Sequence, residues 1–180
     1  MKKNDLIKLA VLGALVLIVY IPSLIWMYER WTVKDTYYSH GFLVPLISAF
    51  LAWQKREKLV KLKISPSNSG WLLLGPSVLI YVISALLRIN FSAALSLIPV
   101  LIGIVLLFLG KEFLKELLFP LLFLIFMIPL PSVAIVNLSF KLKIFAAQVS
   151  TFIVNRLGVP AIREGSVIKT MHSYLIVEDP

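Results

Sequence analysis

The chain has no cysteine among its 180 residues. No disulfide framework or thiolate metal site can hold it together, and no thiol nucleophile lies within it. Charge is also scarce: Asp, Glu, Lys and Arg make up 15% of the residues, against 59% hydrophobic. A water-soluble domain needs far more polar surface, so this balance excludes an ordinary soluble fold. Only two histidines occur, His40 and His172, and no helical His-Glu-x-x-His pattern accompanies them. No metal site and no cofactor are expected. A Gly-rich phosphate loop is missing, and so is the Gly-x-Ser-x-Gly turn of serine hydrolases.

Acidic residues are few relative to basic ones, 9 against 18, for a net charge of +9. The positive charge clusters at Lys2, Lys3 and Lys8 and again between Lys55 and Lys63. Neither cluster is interleaved with aromatic platforms, so no nucleic-acid partner is expected. The charge reads instead as membrane orientation and attraction to anionic membrane lipids.

Long apolar runs fill the rest. They predict an all-α polytopic membrane protein, one membrane domain over 1–180, with about five transmembrane helices near 9–28, 36–54, 71–87, 89–110 and 117–131. The first run is longer than a signal-peptide core, and Trp26-Met27-Tyr28-Glu29-Arg30 offers no small-residue cleavage site. Lys55, Arg56, Lys58, Lys61 and Lys63 against Glu57 place the second loop inside, together with the N-terminus. The expected location is therefore the plasma (inner) membrane, multi-pass, with a cytoplasmic N-terminus. Each run carries a proline, at Pro22, Pro45, Pro76, Pro99 and Pro120. Pro120 is expected in a first helical turn and the others at kinks.

Residues 133–157 have a different character. Asn137, Lys141, Gln148, Thr151 and Asn155 fall on one helical face, with Val136, Phe140, Phe145, Val149 and Phe152 assigned to the other. An amphipathic helix lying in the membrane interface is expected, although a crossing with its stripe towards a cavity fits the same spacing. The segment 158–180 then forms an extracytoplasmic tail. Val167–Thr170 and Tyr174–Val177 flank Met171-His172-Ser173 and suggest a short β-hairpin.

The chemistry-bearing stretch is Tyr37-Tyr38-Ser39-His40-Gly41-Phe42-Leu43-Val44-Pro45, which puts a polar step at the mouth of an apolar run ending in Trp53 and Gln54-Lys55-Arg56. An ionisable group at the end of a span is a candidate for function. Ser39 can equally cap a helix while His40 sits in the wet headgroup layer. Glu178 and Asp179 are adjacent acids that read as a solvated loop on spacing alone.

Three stretches together resemble the exosortase/archaeosortase family of polytopic membrane cysteine transpeptidases. They are Ser39-His40-Gly41 with Val44-Pro45 and Trp53; Phe126-Met127-Ile128-Pro129-Leu130-Pro131; and Gly158-Val159-Pro160 with Glu164-Gly165 and Leu175-Ile176-Val177-Glu178-Asp179-Pro180. The resemblance implies cleavage of a C-terminal sorting signal from an exported protein by a membrane-embedded cysteine, then transfer to an acceptor. It implies a partner with a Pro-Glu-Pro tail of the PEP-CTERM type. In the family the last stretch leads into Cys-Ser-Gly. The catalytic Cys, its Arg and its Arg or His are therefore expected beyond Pro180, with the chain an N-terminal portion that is inactive alone. Ser39, His40, Gly41, Glu178 and Asp179 are the expected accessory residues on the outer face, and Arg88, Arg156 and Arg163 match none of the motif positions. A non-enzymatic membrane scaffold or transporter subunit is the alternative. The oligomeric state is left open.

Overall fold

The computed structural model describes residues 3–34, 37–170 and 174–176, and the side chains of 10–34 and 37–170. It divides into two compact units, Met1–Pro129 and Leu130–Pro180.

The first unit is helical. Its elements are α1 (Lys3–Val19), α2 (Ile21–Thr32), α3 (Leu43–Gln54), α4 (Arg56–Lys61), α5 (Gly70–Leu86), α6 (Asn90–Leu95), α7 (Leu97–Phe108) and α8 (Lys111–Phe123), the last running on into a 3-10 turn at Leu124–Met127. Proline sets several of these boundaries. Pro22 cannot donate back to Ile18, and the chain bends by 66° between α1 and α2. Pro45 stands third in its helix, where an N–H has no intrahelical partner to lose, and Pro99 follows the break at Ser96 between α6 and α7, where it cannot donate back to Leu95. Pro76 and Pro120 lie in helix interiors. The expected place of Pro120 in a first turn is corrected: α8 begins at Lys111, because the Lys- and Glu-rich stretch before the apolar run is itself good helix-forming sequence. Lys115 and Glu112 pair at 2.9 Å on that added stretch.

The helices differ in their capacity to cross a bilayer. Asn90–Phe108 and Ser132–Arg156 are long and apolar enough, and the bent pair from Ala10 to Thr32 makes a third if it counts as one span. Leu43–Gln54 and Gly70–Leu86 are shorter apolar helices. At 1.5 Å per residue, a 12-residue helix such as α3 covers roughly 18 Å of a ~30 Å hydrocarbon core. The second expected run, 36–54, shortens for a local reason: Tyr37 to Phe42 form turns, with the Gly41 N–H on the Tyr38 carbonyl at 2.8 Å.

Tyr20, Met27, Val44, Ala94, Leu97, Ile98, Val100, Met127 and Ile128 form the buried centre of this unit. Small residues bring α5 and α7 together: a Cβ on Gly70 would meet the Gly103 carbonyl oxygen at 2.7 Å. Such close approach is how helices associate where lipid supplies no hydrophobic drive. Buried hydroxyls find partners inside, as with Tyr20 and Ser96 at 2.8 Å and Ser84 and Ser92 at 2.7 Å. The outer surface is apolar instead. Leu72 and Leu86 are each 78% exposed and Phe126 is 63% exposed, an inversion that suits lipid contact rather than water.

The second unit consists of α9 (Ser132–Arg156) and a three-stranded antiparallel sheet in the order β1 (Ala161–Glu164), β2 (Val167–Thr170), β3 (Tyr174–Ile176). The expected β2–β3 pairing is present, with Ile168 opposite Leu175. The strand β1 was not expected. Gly165, at φ 64°, opens a two-residue Gly-Ser loop that joins it to β2. Asn155 holds β1 to the helix: its amide nitrogen donates to the Ala161 carbonyl at 3.0 Å, and its amide oxygen accepts the Ala161 N–H at 2.8 Å. The description of α9 as amphipathic needs correction. Its polar residues do share a face, but Val136 and Phe140 flank that face on one side and Phe145, Val149 and Phe152 on the other, so the helix is only weakly amphipathic.

Candidate functional site

The candidate site is built on the antiparallel pair of α3 and α8. Ser48 and Lys55 are seven residues apart, two helical turns, and so share a face of α3. Gly41 lies a further seven residues back, in the turn that precedes the helix. Lys55 and Ser48 meet α8 directly, and Gly41 is linked to the turn that ends it through Trp31 of α2. Lys55 Nζ is 3.1 Å from the Glu116 carboxylate. The Ser48 hydroxyl donates to the Pro120 carbonyl at 2.8 Å, and both residues are buried. At the far end Gly41 packs against the Trp31 indole, whose Nε1 donates to the Met127 carbonyl at 2.9 Å.

Gly41 is required by that last contact. A Cβ built there would run into the indole ring at Nε1, Cδ1 and Cε2, and the ring is held by its own hydrogen bond. Ser39 and His40 stand exposed on the same turn, and the His40 carbonyl accepts the Leu43 N–H at 3.0 Å to start α3. The turn therefore offers a hydroxyl and an imidazole outward from a rigid backbone. At the opposite end of the pair, Arg56 stacks over the Trp53 ring at 4.1 Å, an aromatic and basic anchor of the kind found where a helix leaves the hydrocarbon. The hydrogen bond from Lys55, reinforced by the charges of Lys55 and Lys58, holds the Glu116 carboxyl below the usual carboxylate range.

The structure brings together two of the stretches singled out in the sequence, Ser39-His40-Gly41 and Phe126–Pro129, at one end of one helix pair. Trp31, which joins them, was missed. The available signal was chemical: a buried indole N–H needs an acceptor, and a proline-containing segment such as Met127-Ile128-Pro129 leaves carbonyls in need of donors. Glu178, Asp179 and His172 lie outside the described residues. Arg88 is exposed at φ 56° in the turn between α5 and α6. Arg156 lies over the Phe152 ring at 5.2 Å, and Arg163 donates to the Gly165 carbonyl at 2.9 Å. Among the described residues, no group of three or more His, Cys, Asp or Glu is placed to hold a metal ion.

A helical unit with an apolar outer surface, buried hydroxyl pairs and an aromatic-basic anchor defines a membrane protein. The model of the transmembrane exosortase family matches residues 26–180, and the chain belongs to that family. No curated protein and no solved structure gives a significant match to it.

Proposed function

We propose that the chain is the membrane platform of an exosortase-type transpeptidase, with its site at the His40 end of the α3–α8 pair. The observation that carries this reading is the meeting of Gly41 and Met127 on Trp31, because two of the stretches behind the family resemblance converge there. The reaction begins with attack of a thiolate on the carbonyl carbon of a sorting-signal peptide bond. The amine leaves with a proton and a thioester forms. An acceptor nucleophile then displaces the thiol. The 180 residues hold no thiol, so the nucleophile comes from outside them. This chain contributes the frame and the exposed Ser39-His40 pair. His40 holds a substrate carboxylate or passes a proton to the leaving amine. Glu178 and Asp179 help to place the nucleophile.

The proposed arrangement has five membrane passages, with the N-terminus and the basic loop 55–63 in the cytoplasm and the His40 turn outside. The positive charge of that loop and the Trp53–Arg56 anchor support this orientation. The substrate is an exported protein with a Pro-Glu-Pro tail, one apolar helix and a basic end.

The test is processing of a reporter with such a tail in a host without exosortase of its own. The chain alone should leave the reporter uncut, and the chain supplied with a family Cys-Ser-Gly segment should cut it. Cutting by the 180 residues alone would contradict a thiol mechanism. No cutting with the segment supplied, from a protein that inserts normally, would favour a scaffold.

A further inference from the structure

The basic end of the first unit contains a pocket of about 310 Å³, the lower part of the size range for small-ligand sites. Its walls are Leu59, Val60, Leu62, Leu109, Phe113 and Leu117. Arg56 is the one charged residue that lines it. In α4 the residues 56, 59 and 60 share a helical face, which accounts for a guanidinium and two apolar side chains meeting at one cavity. Lys58 and Lys61 are exposed on the opposite face of α4 and Lys63 follows it, so Arg56 alone brings positive charge to the cavity wall.

Two observations bear on what fills it. Val60 is 84% exposed, which is costly in water and favourable against lipid. Arg56 is held by its stack on Trp53, an aromatic and basic pairing of the kind that favours the headgroup layer. A second groove of similar size, about 330 Å³, runs along α1, α5 and α7, but no charged residue lines it. A lipid there is held by its chain alone, with nothing to choose a headgroup. The pocket beside α4 has both an apolar wall and a cation.

We infer that this pocket is a binding site for one anionic phospholipid, with an acyl chain among Leu59, Leu62, Phe113 and Leu117 and the phosphate on Arg56. A guanidinium is suited to phosphate because its planar fork offers several donors to one group of oxygens. Charge complementarity selects an anionic over a zwitterionic lipid. The apolar walls select a lipid over free phosphate. The site does not depend on the transpeptidase chemistry, and no residue of the His40 turn belongs to it.

The experiment is native mass spectrometry on the purified chain, equilibrated with equimolar phosphatidylglycerol and phosphatidylcholine. One phosphatidylglycerol per chain should be retained in preference to phosphatidylcholine. Arg56→Gln should lower that retention about fivefold, the effect of a basic residue near an anionic surface. Because Arg56 is exposed, the variant should melt like the parent. Val60→Trp, at an exposed position, should fill the mouth and lower retention without removing a charge. Equal retention of both lipids, or unchanged retention in Arg56→Gln, overturns the site. Release of the lipid by soluble glycerol phosphate also overturns it, because the headgroup alone would then account for binding.

Discussion

The Ser48 hydroxyl donates a hydrogen bond to the Pro120 carbonyl at 2.8 Å, at a fully buried point midway along the α3–α8 pair. The bond has a local cause. Beyond Pro120 the helix tightens into a 3-10 turn, and the Leu124 N–H turns to the Leu121 carbonyl. The Pro120 carbonyl is left without its helical donor, and Ser48 supplies one. Ser48→Ala would strand that carbonyl and is expected to lower stability by about 1–3 kcal/mol, more than the ~0.6 kcal/mol average of an interhelical bond in lipid. Thermal unfolding in detergent measures it. A melting temperature equal to that of the parent would mean that Leu124 or water takes over.

At the basic end, the pair of Lys55 and Glu116 gives a pH signature. Hydrogen bonding to Lys55 lowers the Glu116 pKa on folding, so the folded state binds the proton less tightly than the unfolded state. The resulting stabilisation is present above the ordinary carboxylate pKa, about 4.3, and is lost as pH falls through the lowered folded value. The parent should melt above Glu116→Gln at neutral pH, and the gap should close from about pH 5 downwards. A gap that is constant with pH would assign the effect to packing.

Gly41 and Trp31 should be energetically coupled. Gly41→Ala places a methyl group against the indole ring and is expected to cost about 1–3 kcal/mol, the usual penalty of overpacking. In a Trp31→Leu background the same change should cost much less. The difference of the two costs is the coupling, which for residues in contact runs to about 0.5–3 kcal/mol. Additive costs would show that the turn does not rest on the indole.

The membrane class was legible in the sequence, because hydropathy reports lipid exposure without any knowledge of packing. Single residues were harder. The helix α3 is shorter than the expected 36–54, since the apolar run does not reveal that Tyr38 and Gly41 close a turn ahead of it. The helix α8 starts ahead of the expected span at 117–131, because an apolar run does not show that the charged Lys111–Glu116 also favours helix. The strand β1 was overlooked because Ala161-Ile162-Arg163-Glu164 lacks alternation; the Gly165-Ser166 loop was the signal present. In the site, Ser39, His40 and Gly41 stood out because a polar step at a span end is unusual. Trp31 and Ser48 did not, since each acts on a backbone carbonyl far along the chain and leaves no local pattern.

Asn155 should anchor the sheet to its helix. Asn155→Ala removes both hydrogen bonds to Ala161, which joins the smaller buried cluster with Ala147 and Ile168. Hydrogen exchange at the Ala161 amide should accelerate by about one to two powers of ten, from a loss of roughly 1–3 kcal/mol. Unchanged exchange would show that pairing with β2 alone holds the strand.

If the His40 turn serves the proposed reaction rather than the fold, His40→Ala separates the two. The side chain is exposed, so its removal should cost at most about 1 kcal/mol of stability. A lost transition-state contact reduces rate about tenfold for each 1.4 kcal/mol. In cells where the chain is supplied with the nucleophile-bearing segment, the cleaved fraction of a Pro-Glu-Pro reporter is measured beside the abundance of inserted protein. Cleavage is expected to fall about tenfold or more while abundance holds. Cleavage and abundance falling together, or neither falling, would contradict a role for the turn in the reaction.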